Sequence, residues 1–409
     1  MRTVNRRSIV RERMAIDEIE PFEYDNVAGE IAFGRGCVAD LGETVAELGA
    51  DRALVVCGSN VGSNRDTMDP VEAGLGDRLA GVFDGTTPEK SVESVYEGLT
   101  AVDDEDADAL VAVGGGSSID TARAVRAVWE DGRSYGELRE YVAERGALPV
   151  PEDPMPLVAV PTTLAGADLS PGGSVVFRDG SDLSAGYSDP VLMPEALAYD
   201  PDLFETTPTG ALVGSAMNGF DKGLEAVYGR MASPMTDAPA LHGLKLLRPS
   251  LPDVRDPEDP AVMEAVVAGI VLVQYPRATR GGGLLSLIHA FGHGLREEGV
   301  QQGIAHAVMA PPALEYLFGR VGGRRDVLAE AFGVADTDAD DRAGAVVESV
   351  ADVRDGMGLP DRLRDLDPVE RDALPDVAAY VADDYFLRNC PEGLDPTEDE
   401  LLDVLESAW

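Results

Sequence analysis

Basic residues are scarce in this chain of 409 residues. Lys and Arg number 33 against 75 Asp and Glu, the formal net charge is −42, and lysine occurs only at positions 90, 222 and 245. A field of this sign repels nucleic acid and anionic membranes, so we expect neither as a partner. Such a surface is typical of salt-adapted proteins, because molar salt shortens the Debye length to roughly 3 Å and screens the repulsion between carboxylates.

Cysteine and long apolar runs are also rare. The three cysteines, Cys37, Cys57 and Cys390, lie far apart in the sequence and form no CxxC pair. This pattern is typical of reduced thiols in the cytoplasm. No stretch approaches the unbroken apolar run of a membrane span. The sequence therefore predicts a cytoplasmic globular protein.

The first thirteen residues are rich in arginine, unlike the rest of the chain. The Arg6-Arg7 pair would suit a twin-arginine export signal, but no apolar segment follows it. We interpret residues 1–24 as an N-terminal tail. We expect residues 1–13 to contribute nothing to the fold, with Met14 as the natural start.

Apolar runs and helical patterns alternate between residues 25 and 205. Four short runs end in Gly or Pro, at 53–58, 81–85, 109–114 and 156–161. This alternation is typical of βαβ units and a parallel sheet. From residue 206 onward, long amphipathic stretches replace the strand pattern. We therefore predict an α/β domain over residues 25–205 and an all-helical domain over residues 206–409.

A glycine triplet stands where one of these runs turns into a helix. Gly114, Gly115 and Gly116 are followed by Ser117 and, within the same predicted turn, by Asp120. Glycines let the main chain approach a pyrophosphate closely, and a helix N-terminus offers free N–H groups and a positive dipole. The turn is a candidate dinucleotide site, and a tight turn without a ligand is the alternative.

Histidine is rare but clustered. His289, His293 and His306 are three of the four histidines and fall within one short segment. His289 and His293 are spaced i, i+4 and therefore share a helical face, and Asp221 and Glu225 have the same spacing on an earlier helix. Two such faces turned together would form a divalent-cation site.

The order of several motifs resembles the iron-containing alcohol dehydrogenases. Gly-Gly-Gly-Ser-x-x-Asp followed by Arg123 is similar to the family signature, and IAFGRG (31–36) to its opening hairpin. VLMPEALAYDPDLFETTP (191–208) resembles the link between its domains, and PTTLAGADLSP (161–171) is close to the maleylacetate reductase branch. The resemblance implies a Rossmann-like α/β nucleotide-binding domain with a parallel sheet. It also implies an all-α C-terminal domain in the dehydroquinate synthase-like architecture, and we expect a homodimer.

The resemblance further implies how NAD(P) binds. The glycine turn would hold the cofactor, Thr162, Thr163 and Ser170 would contact it, and Asp120 would lie near the nicotinamide with a catalytic role.

Cofactor preference is expected to depend on the end of the first apolar run, Gly58-Ser59-Asn60. NAD-preferring relatives often carry an Asp at the position of Gly58. A carboxylate there binds the ribose 2′-hydroxyl and repels a 2′-phosphate. Glycine removes that repulsion, so we favour NADP(H).

The family holds its metal with an Asp and a His on one helix and two further histidines. The aligned positions here are Asp221, Glu225, His289 and Gln302, and His293 falls on a nearby family histidine that is not a ligand. Such an altered set still suits a divalent metal (Fe, Zn, Mn or Mg). Loss of the metal is the alternative, since maleylacetate reductases can work without one.

Two further residues are candidates for catalysis. Lys222 lies beside Asp221 and would polarise a carbonyl oxygen in a metal-free site; a solvated helix residue is the alternative. His293 would relay the proton.

These features predict hydride transfer between nicotinamide and the carbon of a small alcohol, aldehyde or oxoacid. Arg277 and Arg280 are candidates to pair with a substrate carboxylate, or else cap a helix. One alternative is a dehydroquinate synthase-like NAD-dependent lyase, because HAFGH (289–293) resembles a helix of those enzymes. The other is a non-catalytic nucleotide-binding relative.

Overall fold

The computed structural model describes residues 22–181, 183–279 and 283–409. The predictions for residues 1–13, Met14 and Arg280 lie outside these residues. None of the described helices combines the length and the apolar character that a membrane crossing requires.

The strands of the chain form one large and one small sheet. They are β1 Glu30–Phe33, β2 Ala53–Gly58, β3 Leu79–Thr86, β4 Ala109–Gly114, β5 Leu157–Pro161, β6 Gly172–Val176, β7 Ser184–Ser188 and β8 Ala196–Tyr199. Six of them form a sheet in the order β1-β8-β5-β4-β2-β3, and every neighbouring pair in it is parallel. Strands β6 and β7 form a separate antiparallel pair. The predicted parallel sheet is confirmed.

The helices fall into two groups, before and after the last strand. The first group is α1 Leu41–Glu47, α2 Ser59–Gly62, α3 Arg65–Leu75, α4 Val92–Asp104, α5 Gly116–Val128 and α6 Tyr135–Arg145. The second is α7 Pro201–Glu205, α8 Thr209–Tyr228, α9 Pro234–Ser250, α10 Pro260–Gln274, α11 Leu287–Glu297, α12 Gln302–Arg320, α13 Arg325–Ala331, α14 Arg342–Gly356, α15 Leu374–Asp383 and α16 Glu398–Ser407. Described residues beyond 206 contain no strand longer than an isolated bridge. The helical second half is confirmed, and the division near residue 205 stays a prediction.

The central strands are covered on both faces, which explains their continuous apolar sequences. In β2, Leu54 and Val56 pack into one core cluster, whereas Val55 and Cys57 pack into the cluster on the other face. Alternate side chains of a strand point to opposite faces, so the apolar side chains of β2 are buried on both faces of the sheet. The sheet therefore holds its carboxyl edge rigidly between two helical layers.

One expectation for the ends of the sheet is wrong. The segment 31–36 does not form a hairpin, because β1 pairs in parallel with β8 and Gly34 and Gly36 lead the chain into a short 3-10 turn instead of a return strand. The segment 191–208 contains β8, and its role as the link between the domains stays a prediction. A strand of four residues flanked by Pro194 and Asp200 is too short to stand out from its sequence pattern.

Helices α8 and α12 approach each other through glycine. A Cβ built on Gly303 would lie 2.1 Å from the carbonyl oxygen of Gly214. Only a residue without a side chain permits this distance. The approach brings His306, one turn further along α12, against Asp221 of α8.

We predict that Gly303→Ala destabilises the protein by about 1–3 kcal/mol, because the added methyl group forces the two helices apart. Gly319→Ala is the matched control on the same helix, since a Cβ there meets nothing within 4 Å. That exposed substitution should stabilise by about 0.5–1 kcal/mol. Denaturant unfolding in high salt measures both changes, and equal stability of the two variants would contradict the close packing.

Candidate functional site

The glycine turn lies at the carboxyl edge of the sheet. Gly114 ends β4 with a φ of +134°, Gly115 is the N-cap of α5, and Gly116 and Ser117 begin the helix. A Cβ on Gly114 would lie 2.8 Å from Ser118 Oγ, so the turn has room only for main chain. Ligands of open α/β sheets bind outside the carboxyl ends of the strands, and a helix N-terminus favours phosphate. This turn can therefore hold a dinucleotide pyrophosphate.

The Pro-Thr-Thr segment lies beside the glycine turn. The N–H of Thr162 donates to the carbonyl oxygen of Gly114 over 3.0 Å. The side chain of Thr163 lies against Gly115, where a Cβ would come within 3.1 Å of it. The structure thus brings together the residues predicted from β4 and β5.

Gly58 lies on the same edge, at the end of β2. Ser59 and Asn60 begin α2 and are exposed. A Cβ on Gly58 would come no closer than 3.4 Å to Thr86 Oγ1. An aspartate would fit at position 58, so the glycine is not required by packing.

Asp120 makes ion pairs inside the first half of the chain. Its carboxylate lies 3.0 Å from Lys90 Nζ and 3.2 Å from a guanidinium nitrogen of Arg123, and Tyr187 donates to its carbonyl oxygen over 2.9 Å. Each carboxylate oxygen of Asp120 is thus paired with a cation. These contacts favour a structural role, and the catalytic role stays a prediction.

Residues 162–170, which we call the cofactor loop, are held by three cations. Carbonyl oxygens 165–168 are the acceptors. Lys222 donates to carbonyl oxygens 165 and 166, with a distance of 2.7 Å to the latter. Arg277 also donates to carbonyl oxygen 166, over 3.4 Å. Arg123 donates to carbonyl oxygens 167 and 168 over 3.1 and 2.6 Å. Charged donors make these contacts stronger than ordinary hydrogen bonds.

Lys222 is therefore not a solvated helix residue, and that alternative is wrong. Its side chain is buried, and burial followed by the charge of Arg277 lowers its pKa well below the ordinary lysine value. Two of its three donors already serve the loop. Any action on a substrate oxygen would have to use the third.

A second network, in which Gln274 and Tyr199 donate to the Asp168 carboxylate, joins the loop to both halves of the protein. Gln274 of α10 donates to the Asp168 carboxylate over 2.7 Å and to the Tyr199 hydroxyl over 3.1 Å. Tyr199 of β8 donates to the same carboxylate. The loop is thus fixed relative to the sheet and to the helices at once.

Behind the loop, three helices bring two carboxylates and two imidazoles together. Glu225 Oε2 lies 2.6 Å from His289 Nδ1, and Asp221 Oδ2 lies 3.2 Å from His306 Nδ1. The two rings are 4.3 Å apart between centroids, and all four side chains are almost completely buried. We call these four residues the acid–histidine cluster.

Most polar atoms of the cluster lack a hydrogen-bond partner among the described residues. These atoms are both carboxylate oxygens of Asp221, Glu225 Oε2, His289 Nδ1 and both ring nitrogens of His306. The close contacts within the cluster do not have hydrogen-bond geometry. Buried polar atoms are rarely left without a partner, because each costs roughly 1–3 kcal/mol.

The chemistry of these atoms fits a divalent cation. Burial lowers the pKa of both imidazoles well below the ordinary value, which keeps them in the neutral form that binds metal. Burial raises the pKa of Glu225 to about 7. In the described residues no three such side chains already converge as a complete ligand shell, so the two contacting pairs must part slightly around an ion.

Glu225 is fixed in place by the start of α11. Its Oε1 accepts hydrogen bonds from the N–H groups of Ile288 and His289 over 3.0 and 3.1 Å and from the Tyr228 hydroxyl over 3.2 Å. A carboxylate is favoured at a helix N-terminus by the helix dipole. Because Oε1 is occupied, only Oε2 faces the cluster.

His306, rather than the aligned Gln302, lies against Asp221, and the ligand set stays a prediction. Gln302 begins α12, one turn before His306, and its Cγ lies against Gly292. The contact with Asp221 is made by the His306 ring. The alignment depended on spacing along the sequence, whereas the approach of α12 to α8 selects the next turn of the helix.

His293 lies outside the cluster and pairs with a residue that the sequence analysis missed. Its Nδ1 lies 2.7 Å from Asp384 Oδ2, and its ring lies 4.7 Å from that of Phe386 between centroids. The ring is partly exposed. When Nδ1–H is donated to the carboxylate, Nε2 has a free lone pair. This is a suitable geometry for proton transfer.

Sequence comparison agrees with this fold. A family model described as iron-containing alcohol dehydrogenase matches residues 28–201, and a model of the family's C-terminal domain matches residues 212–409. The chain belongs to the iron-containing alcohol dehydrogenase family.

Individual family members are similar over most of their length. An NAD-dependent methanol dehydrogenase of Bacillus methanolicus is 30% identical over 286 residues, or 68% of this chain and 71% of that protein. Maleylacetate reductase 1 of Rhodococcus opacus is 27% identical over 392 residues, or 95% and 96%. A crystal structure of a 1,3-propanediol oxidoreductase shares the fold with a TM-score of 0.84 at 21% identity, covering 95% of this chain and 100% of that one. Both matching family models describe alcohol dehydrogenases, which disfavours the lyase alternative.

We predict that His306→Ala weakens divalent-metal binding far more than Gln302→Ala. Loss of an outer-shell partner typically costs 10–100-fold in metal affinity, so loss of a ligand should cost more than about 100-fold. Zinc titration of the purified metal-free protein measures both. The reverse ranking would show that Gln302 is the ligand.

Proposed function

We propose that this family member is an oxidoreductase that transfers a hydride between NADP(H) and the carbonyl carbon of a small aldehyde or oxoacid. The main support is the acid–histidine cluster, whose buried donor atoms lack partners and lie behind the cofactor loop. Relatives in the family carry the names of alcohol dehydrogenases and of reductases, and one is named as NAD-dependent.

The nicotinamide would supply or accept the hydride when the cofactor is bound. In our proposal the glycine turn binds the pyrophosphate with main-chain N–H groups at the start of α5, and the cofactor loop orients the nicotinamide end. Gly58, Ser59 and Asn60 leave room for a 2′-phosphate without placing a negative charge beside it.

Asp221, Glu225, His289 and His306 would hold a divalent metal, which would supply an electrophile for the substrate oxygen. His293 moves the proton through Nε2, while Asp384 holds Nδ1 and fixes the tautomer. The role of Lys222 is to position the loop.

The cofactor preference is tested at position 58. NADP(H) should bind at least as tightly as NAD(H), and Gly58→Asp should weaken NADP(H) roughly 10-fold or more through repulsion of the 2′-phosphate. Gly58→Asn is the control, because it adds the same volume without the charge. Equilibrium binding of both cofactors measures this, and a native preference for NAD(H) would contradict the proposal.

The electrophile is tested by chelation. We expect a chelator to abolish turnover, one added metal to restore it, and Asp221→Asn to lose metal and turnover together. Lys222→Met should mainly weaken cofactor binding, because it frees two loop carbonyls.

A metal-free site would behave differently. Turnover would survive excess chelator, and Lys222→Met would lower kcat by about 10²–10³ with cofactor affinity unchanged, as when a donor to an oxyanion is removed. That pair of results would replace the metal with Lys222 as electrophile.

A further inference from the structure

Within the described residues, the guanidinium of Arg277 makes no ion pair with a carboxylate. It ends the short turn Tyr275–Arg277 after α10 and is half-buried. Its guanidinium makes two long hydrogen bonds of 3.4 Å, to the carbonyl oxygen of Gly166 and to Ser170 Oγ. Guanidinium bonds to an anion are typically about 2.7–2.9 Å, so these contacts satisfy it poorly.

The surroundings of Arg277 increase the excess of positive charge. Lys222 donates to the same carbonyl oxygen of Gly166, and Arg123 donates to the next two carbonyl oxygens of the loop. Two carboxylates beside the loop are already engaged, since Asp168 accepts from Tyr199 and Gln274 and Asp120 pairs with Lys90. Cations withdrawn from water are costly unless an anion reaches them. In a chain of net charge −42, the cations beside the cofactor loop therefore favour the binding of an anion there.

The position of Arg277 favours a substrate anion over a cofactor phosphate. The pyrophosphate is expected at the start of α5 and the 2′-phosphate beside Gly58, both on the sheet side. Arg277 instead comes from the helical half. Besides the larger effect of burial, the charge of Arg277 acts to lower the pKa of His289 in the acid–histidine cluster and that of Tyr385, the neighbour of Asp384, so Arg277 lies within electrostatic range of both.

We propose that Arg277 binds a carboxylate on the substrate, so that the enzyme reduces oxo acids in preference to uncharged aldehydes. This inference rests on the proposed function. In the reaction, the hydride of NADPH forms a new C–H bond, the carbonyl π bond breaks and its oxygen takes a proton. The product is a hydroxy acid and NADP⁺, and the carboxylate is unchanged.

The test compares matched substrate pairs. Succinate semialdehyde and butanal have the same chain length and differ in the carboxylate, as do glyoxylate and acetaldehyde. For each pair, the ratio of kcat/KM values is measured in high salt with the metal-loaded full-length protein and its variants. The ratio cancels any change in the cofactor loop, because both substrates share the loop.

We expect the wild-type protein to prefer the carboxylate-bearing substrate in at least one pair. Arg277→Gln should lower the kcat/KM ratio of that pair by about 30-fold or more, the range for truncating one partner of a buried charge pair. Arg277→Lys should retain part of the preference. Arg255→Gln removes the same charge from an exposed position in the helical half and should leave the ratio unchanged.

Three results would overturn the inference. The first is a wild-type kcat/KM that is as high for butanal and acetaldehyde as for their oxo-acid partners. The second is an unchanged ratio in Arg277→Gln. The third is a loss confined to NADPH binding in that variant, which would assign Arg277 to a cofactor phosphate. In each of these cases the proposed hydride transfer survives, whereas a wild-type enzyme that reduces none of the four compounds contradicts the proposed function itself.

Discussion

Hydrogen bonds from three cationic side chains to the cofactor loop join the two halves of this protein. Lys222 and Arg277 come from the helices, Arg123 comes from α5 under the sheet, and all three donate to carbonyl oxygens 165–168. In a trans peptide the N–H points opposite to the C=O. Holding each of these carbonyl groups therefore also fixes the direction of the N–H group in the same peptide. A loop set in this way is preorganised for a ligand, and it cannot shift without breaking charge-assisted bonds.

The same arrangement explains where a lysine-poor chain keeps its lysines. Lys222 holds the loop and Lys90 pairs with Asp120 beneath the glycine turn, so two of the three lysines lie at the cleft. Acidic surface residues suit high salt because their repulsion is screened there. A buried ammonium is not replaced by a solvated carboxylate without loss of its partners. The surroundings of the cofactor loop therefore keep basic side chains that the rest of the chain largely lacks.

Local patterns predicted much of this structure, and long-range contacts account for what was missed. Strands β2 to β5 and the turn at Gly114 follow from apolar runs ending in glycine or proline, because each depends on neighbouring residues only. His306 was passed over for Gln302 because sequence spacing says nothing about the backbone contact between Gly303 and Gly214 that sets the depth of α12. Asp384 lies far from His293 in the sequence, and only the packing of the segment after α15 against α11 brings them together.

The acid–histidine cluster costs folding free energy, so the stability of the fold alone does not explain its presence. Asp221, Glu225, His289 and His306 could be replaced by apolar residues of similar size, and such exchanges for buried ionic groups are often neutral or stabilising. Instead, they place partnerless oxygens and nitrogens in the core, where each costs free energy. This cost falls if a cation binds. The carboxyl groups then release their protons, and the positive charge of the cation offsets the cost of burying the carboxylates. Glu225 makes the point most clearly, since the start of α11 and Tyr228 occupy one of its oxygens and leave the other facing the His289 imidazole. A side chain oriented so firmly on one side and unsatisfied on the other is expected at a binding site rather than in a core built for stability.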